Sequence, residues 1–168
     1  MKYIITGGAG FIGSHLVEEL ERQKHEVVVL DNLFSGKMEN IAPFLKKDAV
    51  SFVKGSITDL PLLHKTFEGA DGIFHQGAIA SVPHSVVNPH HTHEVNLTGT
   101  LNVLTTARDC GVKKVVFASS AAVYGDNPEM PKREDMITDP LSPYAVSKLA
   151  GEQYCSVFSR IYGSGVLH

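Results

Sequence analysis

A short apolar run near the N-terminus, Tyr3-Ile4-Ile5, opens directly into Thr6-Gly7-Gly8-Ala9-Gly10-Phe11-Ile12-Gly13. Glycines 8, 10 and 13 satisfy the spacing Gly-x-Gly-x-x-Gly, and glycines 7, 10 and 13 the spacing Gly-x-x-Gly-x-x-Gly. Between a strand and a helix such a run is strongly constraining. Only glycine lets the backbone turn that sharply and come close to a pyrophosphate, and the helix that follows directs its dipole and free N–H groups at the negative charge. The motif is informative only in context, and the context is present: a strand before it, an amphipathic stretch over 11–23 after it, and Asp31 closing a second apolar run, Val27-Val28-Val29-Leu30. Asp31 stands 18 residues past Gly13. A carboxylate there reads the diol of an adenosine ribose and repels a 2′-phosphate, so NAD is expected rather than NADP.

The same alternation continues along the chain. Further strands are predicted at Val50-Ser51-Phe52-Val53, Gly72-Ile73-Phe74-His75 and Val115-Val116-Phe117-Ala118, with helices over 37–46, 59–67, 92–110 and 142–161. Near-continuous apolar strands separated by helices mean a parallel sheet buried on both faces. The expected fold is therefore α/β, a doubly wound parallel sheet of Rossmann type with right-handed crossovers. At 168 residues, 43% hydrophobic and 20% charged, the chain is one domain's worth with a core of ordinary size. A net charge of −3 excludes a general nucleic-acid binder, and no apolar run approaches the ~20 residues of a membrane span. The glycines begin too early for a signal peptide, and Cys110 and Cys155 form no spacing motif, so a reduced, cytoplasmic protein is expected. The stretch 125–143, which holds Pro128, Pro131, Pro140 and Pro143, reads as a long surface loop of the kind that carries function.

A second signal is Tyr144-Ala145-Val146-Ser147-Lys148, at the start of the last predicted helix. Tyr and Lys four residues apart share a helix face, so the ammonium sits near the phenol. A free phenol ionises near pH ~10, and a neighbouring ammonium and nicotinamide cation favour the phenolate, which is a usable base. Ser119 and Ser120 follow the fifth strand, at the sheet edge where such folds bind ligands. His84, His90, His91 and His93 invite a metal site, but no Cys or carboxylate stands at ligand spacing, so they are read as polar surface and no metal is expected.

Together, Thr6 to Gly13, Asp31-Asn32-Leu33, Asn96-Leu97-Thr98-Gly99-Thr100, Ser119-Ser120-Ala121-Ala122-Val123-Tyr124-Gly125 and Ser142-Pro143-Tyr144-Ala145-Val146-Ser147-Lys148 resemble an extended short-chain dehydrogenase/reductase. The resemblance is to the nucleotide-sugar epimerase/dehydratase family, nearest its UDP-glucose 4-epimerase subclass, and it spans almost the whole chain. It implies an isomerase of galactose metabolism in which Tyr144 takes the proton of a sugar 4-hydroxyl while hydride moves to NAD. Ser120 would bond the same hydroxyl, and Lys148 the nicotinamide ribose. Gly7, Gly10 and Gly13, with the backbone of Phe11 and Ile12, would hold the pyrophosphate. Asn32, Ser35 and Gly36 would surround the adenosine ribose beside Asp31, and Ser56 and Ile57 would meet adenine. Ser56 stands where the family usually has Asp, which removes an acceptor for the adenine amino group. Gln76, Gly77, Ala78 and Ala80 would line the dinucleotide, with Asn96 near it, and Ser81, Val82 and Tyr124 would approach the sugar nucleotide.

Dehydratases and decarboxylases of the family carry acids just after the catalytic hydroxyl residue, whereas this chain has Ala121 and Ala122 there. Epimerisation of a UDP-sugar is therefore the expected reaction, and a dehydratase- or decarboxylase-type oxidoreductase is the alternative. The resemblance also implies a homodimer through helices 92–110 and 142–161. Family members continue beyond the Tyr-x-x-x-Lys helix into further strands and a substrate domain. The chain accordingly reads as the N-terminal, NAD-binding part, 1–168, with its fifth strand left as an open edge. On that reading catalysis is impaired, or the chain is a non-catalytic NAD-binding fragment or subunit.

Overall fold

The computed structural model describes residues 1–163 in full and Gly165–Leu167 by its backbone pairing. Among the described residues six strands form one parallel sheet: β1 (Lys2–Thr6), β2 (Glu26–Asp31), β3 (Val50–Lys54), β4 (Gly72–His75), β5 (Lys114–Phe117) and β6 (Gly165–Leu167). Their spatial order is β3-β2-β1-β4-β5-β6. The order reverses between β1 and β4, which opens a crevice at the carboxyl ends of those two strands.

The β-branched strands bury both faces by simple alternation. Ile4, Val28, Leu30, Ile73 and Val115 face one core, while Ile5, Val27 and Val29 face the other. The first core is covered by α3 (Leu60–Phe67), α6 (Gly99–Asp109) and α7 (Pro143–Tyr162), through Leu63, Phe67, Val103, Leu104 and Phe158. The second is covered by α1 (Phe11–Arg22) and α2 (Met38–Ile41), through Val17, Leu20 and Ile41. Each such apolar side chain contributes roughly 1.5–3 kcal/mol on burial.

Four local differences from expectation have physical causes. The helix expected over 37–46 is helical only at Met38–Ile41, because Pro43 has no N–H to continue the ladder and the chain proceeds in turns to Lys47. The long helix expected over 92–110 is α5 (Pro89–His93), a π-helical turn over Glu94–Thr98, and α6. An unexpected helix, α4 (Val82–Val87), starts at Ser81, whose hydroxyl accepts from the His84 N–H at 3.2 Å, with Pro83 in its first turn. The edge of β5 is not open: β6 pairs with it in parallel, Val115 opposite Val166. Helix α7 keeps its expected span, capped by Ser142, which accepts from the Ala145 N–H at 3.1 Å, and closed by Gly163. Among the described residues no helix is long and apolar enough to cross a membrane.

Candidate active site

The glycine loop joins β1 to α1 and lies against the run that follows β4. Gly7 has φ +68°, and a Cβ there would stand 2.7 Å from the Gly77 nitrogen. A Cβ at Gly13 would overlap the Gly7 carbonyl oxygen and come within 2.6 Å of the Gly8 Cα. Two close backbone approaches thus dictate glycine at these positions. Helix α1 follows its N-cap Gly10, with no side-chain cap and no acid in its first turn. Its first helical bond is made by Ser14 to Gly10, so the Phe11, Ile12 and Gly13 amides precede the ladder and point outward as anion donors.

Asp31, 8% exposed at the end of β2, accepts from the Ala9 N–H at 3.0 Å and from the Leu33 N–H at 2.7 Å. One bond to each oxygen leaves lone pairs for a ribose diol. A Cβ on Gly36 would approach Asp31 Oδ2 to 2.9 Å, so glycine keeps that carboxylate accessible. Between these parts lies a cavity of about 310 Å³. It is lined by Gly7, Gly10, Phe11, Ile12 and Gly13 from the first loop, and by Asp31, Asn32, Ser35 and Gly36 from the second. Ser56 and Ile57 line it after β3, and Gln76, Gly77, Ala78 and Ala80 after β4. All are expected cofactor contacts. The Ser56 hydroxyl lies 2.8 Å from that of Thr58. The donor set, a free helix N-terminus beside a carboxylate with spare lone pairs, fits an adenosine diphosphate.

Sequence reasoning missed six residues of this wall: Leu30, Phe34, Gly55, Ile79, His91 and Val95. Most are apolar or small and carry no chemical signature. His91, expected on the polar surface, packs edge-on against Phe34 with ring centroids 5.7 Å apart at the cavity mouth. Among the described residues no group of three or more His, Cys, Asp or Glu is placed to hold a metal ion.

Asn96, Ser81, Ser120, Tyr124, Tyr144 and Lys148 do not line this cavity. Asn96, in the π-helical turn, accepts from the Ile79 N–H at 2.7 Å and donates to the Ile79 carbonyl at 3.0 Å and to Ser147 Oγ at 3.2 Å. It therefore holds the cavity wall and does not form it. Ser81 serves as the α4 cap described above. Ser120 ends the segment after β5 and accepts from the Ala122 N–H at 3.2 Å, which starts a 3-10 turn over Ala121–Tyr124 that carries the half-buried Tyr124. Its neighbour Ser119 turns the other way and donates to Glu152 on α7. Tyr144 and Lys148 are buried on the first turns of α7. The Lys148 Nζ donates to the Ala118 carbonyl at 2.8 Å and lies 5.9 Å from the Tyr144 ring centre and 5.0 Å from that of Phe117. Burial pulls the Lys148 ammonium down to about 8.

A 3-2-1-4-5-6 parallel sheet, an uncapped glycine loop facing an acid at the end of β2, and a Tyr-Lys pair beside the end of β5 define a dinucleotide-binding fold of Rossmann type. The chain belongs to the NAD dependent epimerase/dehydratase family, which matches residues 3–167. It is 42% identical to the UDP-glucose 4-epimerase of Mycolicibacterium smegmatis over 100% of this chain and 54% of that protein. A solved UDP-glucose 4-epimerase from Thermotoga maritima, with UDP-glucose, is 38% identical with a TM-score of 0.92, covering 99% of this chain and 53% of that one. A dTDP-glucose 4,6-dehydratase from Streptomyces venezuelae, with NAD and TYD bound, is 37% identical with a TM-score of 0.94, covering 99% and 54%. The chain spans about half the length of the curated relatives it matches.

Proposed function

We propose that this chain forms the NAD-binding and proton-transfer part of an enzyme that inverts C4 of a UDP-sugar of the glucose/galactose type. The observation that carries the reading is the pairing of two assemblies at adjoining strand ends. The cavity that presents Asp31 and the first-turn amides of α1 lies at β1, β2 and β4, and the Tyr144–Lys148 pair lies beside β5. NAD, when bound, supplies a hydride acceptor and donor. Asp31 and Gly36 would hold its adenosine ribose, and the Phe11 and Ile12 amides its pyrophosphate.

The Tyr144 phenolic oxygen takes the proton of the sugar 4-hydroxyl and later returns it. Ser120 Oγ accepts from Ala122 and keeps its own proton to donate to the same hydroxyl oxygen. The Lys148 Nζ uses one donor on Ala118 and has two left for a ribose hydroxyl. Elimination is the second reading, supported by the likeness to the dehydratase. The 3-10 turn after Ser120 opposes it, since it begins Ala121-Ala122 and offers no carboxyl group for removing water. Val146, Val157 and Ile161 lie exposed on α7, at spacings of eleven and four residues that place them on one face, and this supports a homodimer. A reduced cytoplasmic setting accords with the two free cysteines.

Native mass spectrometry of the 168-residue chain, followed by incubation with NAD and UDP-galactose, tests the reading. Co-purified or added NAD at one per chain and slow, impaired formation of UDP-glucose are expected. A chain that binds no dinucleotide overturns the cofactor assignment. A chain that binds NAD and leaves both sugars untouched corresponds to a non-catalytic NAD-binding subunit and overturns the epimerase assignment for this chain.

A further inference from the structure

His75, the last residue of β4, is 1% exposed and has no part in the mechanism above. Both its ring nitrogens are occupied. Nδ1 lies 2.7 Å from Thr6 Oγ1, and Nε2 lies 3.0 Å from Thr100 Oγ1. The neighbours settle which nitrogen carries the proton. Thr100 donates its hydroxyl proton to the Asn96 carbonyl at 2.5 Å, so towards His75 it only accepts. Nε2 must then be protonated, and in the neutral ring Nδ1 is bare, so that Thr6 donates to Nδ1. Thr6 Oγ1 in turn accepts from the Gly77 N–H at 3.1 Å. The whole chain of bonds has one consistent proton order. Burial, with the Lys148 charge nearby, pulls the His75 imidazole down to about 3, so the ring is neutral across the working range.

Both ends of this chain of bonds reach the cavity wall. The Gly77 nitrogen is the atom that a Cβ on Gly7 would strike, so Thr6 and His75 set the seam between the two loops facing the dinucleotide. At the other end Asn96 holds both peptide groups of Ile79 and reaches Ser147, which donates to the Tyr144 carbonyl at 2.7 Å. We propose that His75 is a positioning residue of the cofactor site. Locked as its Nε2–H tautomer, it holds the Gly77 peptide through Thr6, and through Thr100 it holds Asn96 and the Ile79 peptide. The proposal rests on the reading of the cavity as an NAD site.

The test has two readouts on the 168-residue chain. The first is long-range ¹H–¹⁵N correlation on histidine-labelled protein. His75 should show protonated Nε2 and bare Nδ1, unchanged between about pH 8 and about pH 5. A protonated Nδ1, or titration in that range, would overturn the proposal without any variant. The second is NAD affinity measured well below the unfolding temperature. Thr100→Val, which leaves Nε2–H without an acceptor, should weaken NAD binding about tenfold, and Thr100→Ser should restore it. NAD affinity indifferent to Thr100→Val, with only thermal stability reduced, would overturn the positioning role alone. A wild-type chain that binds no NAD would overturn the cofactor reading, and this proposal with it.

Discussion

The Asp31 carboxylate at the end of β2 bonds the Ala9 backbone N–H at 3.0 Å, across 22 residues of sequence, and so fastens the second loop to the glycine loop. The group that would read the ribose is also the group that orders the loop beside it. Replacement of Asp31 should therefore be felt twice.

Asp31→Ala should lower NAD affinity by ten- to a hundredfold, since hydrogen bonds to a charged group are worth about 1.5–3 kcal/mol. It should also lower unfolding free energy by about 1–3 kcal/mol, through the Ala9 and Leu33 amides left without their acceptor. Calorimetric titration with NAD and urea unfolding measure the two. Unchanged affinity would remove Asp31 from the site.

Gly13→Ala forces a methyl group into the Gly7 carbonyl and against the Gly8 Cα, both backbone atoms that cannot rotate away. A loss of about 2 kcal/mol or more in stability is expected, with NAD binding lost because the loop must shift. Urea unfolding and NAD titration of the variant check this, and wild-type values for both would show that the loop yields freely.

Lys148 gives a pH dependence with a definite sign. Its ammonium is pulled down to about 8 in the fold against 10.5 when solvated, so burial opposes the charged form. Below about pH 8 the full penalty is present. Between about 8 and 10.5 the unfolded chain binds more protons than the folded one, and stability rises with pH. Lys148→Met should abolish this rise, worth at most about 3 kcal/mol, and should stabilise the chain near neutrality while ending turnover. Urea midpoints of both proteins at about pH 7.5 and about pH 10 decide it. Equal slopes would mean that Lys148 is not desolvated.

Tyr144→Phe removes one hydroxyl from a buried ring that lines no part of the dinucleotide cavity. NAD affinity should stay within about twofold of wild type, and any epimerisation should fall by at least about a thousandfold, since proton transfer loses its base. Full activity in the variant would refute the assigned mechanism.

The architecture was legible because it is written in periods. Apolar runs such as Val27-Val28-Val29-Leu30 bury both faces of a sheet wherever it sits, and glycine at 7, 10 and 13 answers a demand of backbone geometry that no other residue meets. The loops after β1, β2, β3 and β4 could be read for the same reason, since each follows a strand whose carboxyl end must open on the crevice. The wall residues Phe34, His91 and Val95 could not be read, because Phe34 and Val95 bear no chemical mark, the His91 imidazole reads as polar surface, and only the packing of α5 and the π-helical turn against the second loop makes them neighbours.

Local sequence thus determined the first five strands, the glycine loop, the acid at position 31 and the Tyr-Lys pair, all properties of residues a few positions apart. The tertiary structure decided the rest. A widened turn over Glu94–Thr98 has no period of its own, and nothing in the local sequence marks it; within that turn the Asn96 amide reaches Ile79, 17 residues away, and Ser147, 51 away. The proton order through Thr6, His75 and Thr100 likewise exists only once β1, β4 and α6 lie side by side, because a hydrogen bond acquires its direction from the partners that folding supplies.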